Sequence, residues 1–185
     1  MVGSLRFAVA AALSLALCAC ASSPDGTFQS KRYASIPRHE APGTISTPNR
    51  PLQCVPYARE RSGVELFGDA GSWWDLAAGH YARSNQPELG SVLVLTGYAG
   101  PHRGHLAVVS AIESDRRIRV DHANWMNDGR IYKDDLVVDV SPENDWSEVR
   151  VWDERDSVLG VRTYLVQGFI GPGQDSGSER VASRD

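Results

Sequence analysis

The chain has 185 residues, 42% of them hydrophobic and 23% charged, which is material for one domain with a real core. Its 19 Lys and Arg against 23 Asp and Glu leave a formal net charge of −4. With no basic stripe and no Lys/Arg-rich run, nucleic acid is not an expected partner.

The first stretch reads as an export signal. Arg6 supplies a positive start, and Phe7 to Leu17 is an apolar run too short to span a bilayer as a helix but suited to the centre of a secretory signal. Leu17-Cys18-Ala19-Cys20 then resembles a bacterial lipobox, with Leu17 and Ala19 at the positions three and one before Cys20. Residues 1–20 are read as signal and lipobox, with Cys20 as the lipidated residue. The alternative is cleavage after Ala21, which would free a soluble periplasmic protein. Ala21 is not the Asp that would favour the inner membrane, so the expected location is the periplasm, with a lipid anchor in the outer membrane. Residues 21–50, rich in Ser, Pro, Thr and Gly, are expected to form a flexible tether, and residues 171–185 a disordered tail.

Between them, residues 51–170 read as the folded domain. A helix is expected from Cys54 to about Ser62, where Gly63 can close it, and Pro56 is tolerated in its first turn. A second helix is expected from Ser72, where Ser72 to Asp75 resembles a capping box and Trp73, Ala77 and Tyr81 share one face. After Gly90 the pattern turns to strands: Val92–Leu95, His105–Ile112 and Ile118–Trp125, the last two joined by a charged turn as a hairpin. Later strands are expected at Leu136–Val140, Glu148–Trp152 and Val161–Ile170. Helices grouped ahead of strands predict an α+β domain with a mainly antiparallel sheet.

The cysteines carry the chemical argument. Cys18 leaves with the signal and Cys20 is lipidated or lost, so of three cysteines only Cys54 keeps a free thiol, with no disulfide partner. A lone cysteine in an oxidising compartment is either buried and inert or reactive. At the start of a helix, Cys54 would sit at the positive end of the macrodipole, which favours thiolate. The N–H groups there could hold an oxyanion, with Gln53 or Tyr57 as a further donor. A thiol nucleophile needs a base, and His105, placed after Gly104 at the head of an apolar strand, is the candidate. The base needs an orienting partner. Ile118 and Val120 point to the buried face, so His122 and Asn124 continue it, while Arg117, Arg119 and Asp121 point to the other side. The order of preference is His122, then Asn124, then Asp121, unless a bulge changes the phase. His102-x-x-His105 has the spacing of half a zinc site. It has no second close pair and no helical H-E-x-x-H, so no metal and no cofactor are expected.

Three segments, Gln53-Cys54-Val55-Pro56-Tyr57-Ala58-Arg59, Gly104-His105-Leu106-Ala107-Val108-Val109 and Val120-Asp121-His122-Ala123-Asn124-Trp125, together resemble the CHAP family of cysteine- and histidine-dependent amidohydrolases and peptidases. The resemblance covers roughly residues 50–152. It implies a papain-like α+β fold in which the cysteine opens a helix packed against the sheet that carries the histidine. It also implies an amide hydrolase, most often acting on peptidoglycan peptides. Many members have Glu where this chain has His122. A Cys-His-His arrangement occurs in the related NlpC-type peptidases, and His122 can orient a base but cannot supply a Glu's charge. The Asp-rich calcium-binding segment of some members is missing ahead of Cys54. Trp73 and Trp74 read as core or cleft wall, and Trp125 as a residue that could line a substrate groove.

The expected function is a cell-envelope cysteine amidohydrolase or endopeptidase that cleaves peptidoglycan peptides through a thioester. Two rivals stand beside it: an envelope-binding module without catalysis, and an amidase for a small peptide conjugate.

Overall fold

The computed structural model describes residues 43–101 and 103–171. The export signal, Cys20, most of the tether and tail, and His102 lie outside the described residues.

Helix α1 (Cys54–Ser62) follows Gln53, whose backbone is extended, and ends at Gly63. Gly63 takes the left-handed conformation (φ 74°) and returns its N–H to the Arg59 carbonyl, a closure for which glycine has no Cβ penalty. The second expected helix is much shorter than its pattern. A 3-10 turn (Ala70–Ser72) leads into α2, which covers only Trp73–Leu76. The Ser72 hydroxyl donates to the Asp69 carbonyl instead of capping the helix, and Gly79, at φ 75°, turns the chain away. The apolar side of the pattern still packs: Trp73 and Ala77 are fully buried.

The strands are β1 (Thr44–Ser46), β2 (Arg83–Ser84), β3 (Val92–Thr96), β4 (His105–Ser114), β5 (Arg117–Ala123), β6 (Ile131–Asp139), β7 (Glu148–Asp153), β8 (Val158–Leu159) and β9 (Tyr164–Ile170). The pairings given below are all antiparallel. The sheet runs β6-β5-β4-β3-β9-β7, and β7 pairs again with β6, so it curls into a barrel. The short strands β1, β2 and β8 add to β6, β9 and β7. Among the described residues the protein is therefore mostly antiparallel sheet with two short α-helices, a more sheet-dominated domain than the sequence pattern suggested. Strand β1 lies in the stretch expected to be tether, and β6 begins at Ile131, five residues before the expected Leu136.

Alternation divides β3 and β4 between two apolar clusters. Leu93, Leu95, Ala107, Val109, Ile118, Val120 and Val137 join Trp125, Trp146 and Phe169 inside the barrel. Val92, Val94, Leu106 and Val108 face the other way, in a cluster with Ala58, Trp73 and Ala77. By the same alternation His105 shares the phase of Ala107 and Val109, and His122 that of Val120.

One irregularity matters for the site. Val120 pairs with Asp135 but His122 pairs with Tyr132, so Lys133 and Asp134 together oppose Asp121. Asp134 takes the left-handed conformation (φ 53°), and its N–H donates to Asp121 Oδ1 while its Oδ1 accepts from the Ser110 hydroxyl. This bulge resets the phase of β6, so that both Tyr132 and Asp135 face the barrel interior.

Candidate active site

Cys54 and His105 line one cleft of about 570 Å³, together with Gln53, Tyr98, Asn124 and Tyr164. Cys54 opens α1, and its sulfur lies by the backbone N–H groups of Leu106, Val55 and Cys54 itself. These contacts, and the charge of Arg103, favour the thiolate. Burial outweighs them and pushes the thiol pKa up, contrary to the expectation from the helix dipole alone. His105 is 1% exposed. Burial, and after it His122, holds its imidazole pKa well below the usual histidine range. The resting pair is therefore a neutral thiol beside a neutral imidazole.

Behind His105 runs a chain of hydrogen bonds. His105 Nε2 lies 2.9 Å from His122 Nδ1, and His122 Nε2 lies 3.0 Å from Asp135 Oδ2. All three residues are buried. A carboxylate only accepts, so His122 carries its proton on Nε2; its Nδ1 then accepts from His105 Nε2–H. That leaves the lone pair of His105 on Nδ1, the nitrogen free to take a proton. Trp125 and Tyr98 hold the ring from its sides, with centroids 4.9 and 4.8 Å away.

The other sequence candidates take different positions. Asn124, at φ 63° just past the end of β5, does not reach the histidine chain. Its Nδ2 donates to Gln53 Oε1 at 2.9 Å, and its Oδ1 accepts from the Gly129 N–H at 2.8 Å. The Gln53 amide is thereby turned with its NH₂ group free for another acceptor. Asp121 points to the α1 side, as its parity requires, but not into water: it is 4% exposed, and Arg61 Nε meets its Oδ2 at 2.7 Å. Tyr57 is not among the cleft residues; burial and then the charge of Asp121 push its hydroxyl up to about 12. Trp125 is buried behind the histidines rather than lining the cleft. Among the described residues no cluster of His, Cys, Asp or Glu is arranged to hold a metal ion.

Asp135 was missed in the sequence because the expected strand began at Leu136, five residues after the true start of β6 and just past Asp135. A signal was available: Asp135 shares the parity of Val137, so an acid at that phase must be buried and needs a partner. Tyr98, Arg103, Arg162 and Tyr164 were missed as cleft residues because they come from loops and from β9, whose placement local pattern does not encode.

Comparison with curated proteins gives no match. The family model described as CHAP domain matches residues 45–124, a stretch that ends before Asp135. CHAP domains are in general hydrolases of the amidase or peptidase type. The match spans Cys54, His105 and His122 and agrees with the three motifs, so residues 45–124 are similar to the CHAP domain family.

Proposed function

We propose that the protein is an exported cysteine amidase or endopeptidase that cuts amide bonds in the peptide part of peptidoglycan. The observation that carries this reading is the buried chain His105–His122–Asp135 ending at the cleft that contains Cys54. The Cys54 sulfur attacks the amide carbonyl as His105 Nδ1 takes its proton. The N–H groups at the start of α1 and the Gln53 NH₂ hold the oxyanion. His105 then gives the proton to the leaving amine, the C–N bond breaks, and a thioester remains. His105 next activates water, which clears the acyl group and restores the thiol. Under this reading the domain has the papain-like arrangement, with α1 against the strand that begins at His105. Lipidation at Cys20 would hold the enzyme at the outer membrane, within reach of the wall.

Digestion of purified sacculi by the protein and by Cys54→Ala, with released fragments identified by mass spectrometry, tests the reading. Fragments are expected from the wild type alone, with at least about a 10³-fold loss in the variant. Their new termini name the bond. No release by either folded protein, or equal release by both, overturns the proposal.

A further inference from the structure

The cleft around Cys54 has a marked charge asymmetry. Arg103 and Arg162 both line it, and among the described residues no carboxylate does. Among the described residues no acid lies within ion-pair distance of Arg103, although its charge reaches the Cys54 sulfur. Arg162 sits 4.7 Å over the Tyr164 ring, gives Nη2 to the Gly97 carbonyl at 2.7 Å and also hydrogen-bonds the Tyr164 hydroxyl. A guanidinium has five donors, so most of that fork is open. His105 adds no charge while it is neutral. Asp128, whose charge is felt at Tyr98, is engaged by Arg130 and the Tyr132 hydroxyl. Asp153, whose charge is felt at Tyr164, is paired with Arg155, and Asp69 and Asp75 line a separate cavity of about 380 Å³ that shares Arg103 and Gly104 as its wall. On a chain of net charge −4, two arginines facing a nucleophile without matching acids make a local positive field that draws anions in.

We propose that Arg103 and Arg162 form an anion subsite, which takes a carboxylate of the substrate close to the amide attacked by Cys54. This rests on the amidase reading for its meaning, and it defines the substrate class as acidic peptides with a free carboxylate beside the scissile bond. Guanidinium groups suit that partner because they meet a carboxylate with two parallel N–H donors.

The test uses two reagents of nearly equal size, iodoacetate and iodoacetamide. In both, the Cys54 sulfur forms a bond to the methylene carbon and iodide leaves; only the first carries a carboxylate. Rates are read at Cys54 by peptide mass spectrometry on the full chain, and their ratio is normalised to that of a free cysteine. The wild type is expected to favour iodoacetate, and the double variant Arg103→Gln, Arg162→Gln to lose about 5- to 10-fold of that ratio. Arg155→Gln, an exposed charge paired with Asp153, controls for net charge and should leave the ratio in place. Arg103→Lys and Arg162→Lys keep the charge but not the planar fork, and should lose no more of the ratio than the Gln changes. An unchanged ratio in the double Gln variant, or an equal loss in Arg155→Gln, overturns the subsite. Alkylation needs only the thiol in its cleft, so this result stands apart from the sacculus digestion. A preference for iodoacetate without hydrolysis would keep the subsite and remove the amidase; hydrolysis with no preference would do the reverse.

Discussion

At the residue scale, the tautomer of His105 depends on an atom two residues removed from it. Asp135→Asn can present Nδ2–H to His122 Nε2, which forces the His122 proton to Nδ1. His105 must then keep its own proton on Nδ1, facing the cysteine, and it can no longer act as a base. The expected result is a fall in kcat of about 10²-fold or more, with KM little changed. Steady-state kinetics on a peptide substrate checks this, and an unchanged kcat would remove Asp135 from the chain. Parity alone selected His122 over Asp121 in the sequence, and the structure puts the two histidine rings within hydrogen-bond distance. Asp135 was not legible in the same way. Reaching it required both the true start of β6 and the bulge at Asp134, and a two-residue alternation carries no mark of an inserted residue.

At the element scale, the approach to the nucleophile is clamped by the loop between β5 and β6. Leu52 N–H donates to the Gly129 carbonyl at 3.0 Å, and a Cβ on Gly129 would lie 2.6 Å from Pro51 Cβ. Gly129 also has φ 71°, a conformation that costs an ordinary residue about 1 kcal/mol or more. Gly129→Ala should therefore lower stability by about 1–3 kcal/mol and shift Gln53 and Cys54, slowing alkylation of the thiol. Urea unfolding and iodoacetamide kinetics read the two effects. Full stability with an unchanged rate would show that the clamp does not position the site. The extent of α1 could be read from its closing glycine, and the β4–β5 hairpin from its charged turn. The second helix misled for a physical reason: Ser72 bonds backward to Asp69, and four residues later the chain already turns. Apolar spacing put Trp73, Ala77 and Tyr81 on one face, and all three pack in the cluster behind α1, without fixing the backbone between them.

At the scale of the whole molecule, buried His105 and half-buried Glu154 give stability opposite slopes with pH. His105 has a folded pKa well below 6.5. Its contribution is complete above that value and is lost as pH falls below it, because the unfolded chain then takes up the proton first, with a slope of up to about 1.4 kcal/mol per pH unit. For Glu154, burial and then the charge of Asp135 push the carboxyl from 4.5 up to about 7. Its contribution is present below 4.5 and is lost as pH rises through about 7. The two slopes oppose each other between about pH 5 and 6.5, so the urea midpoint should change little there. His105→Gln should leave a midpoint that falls as pH rises through that window and Glu154→Gln one that rises, and profiles altered by neither would contradict these assignments. The closed sheet also orders events in time. Val92, near the middle of the chain, finds one partner in Val108 and the other in Ile170, so the wall that seats His105 is incomplete until the last strand arrives. A chain cut short before β9 holds every residue of the Cys54–Asp135 relay but not the barrel that aligns them. Contacts this distant in sequence make for slow folding, and reactivity should be among the last properties the maturing protein acquires.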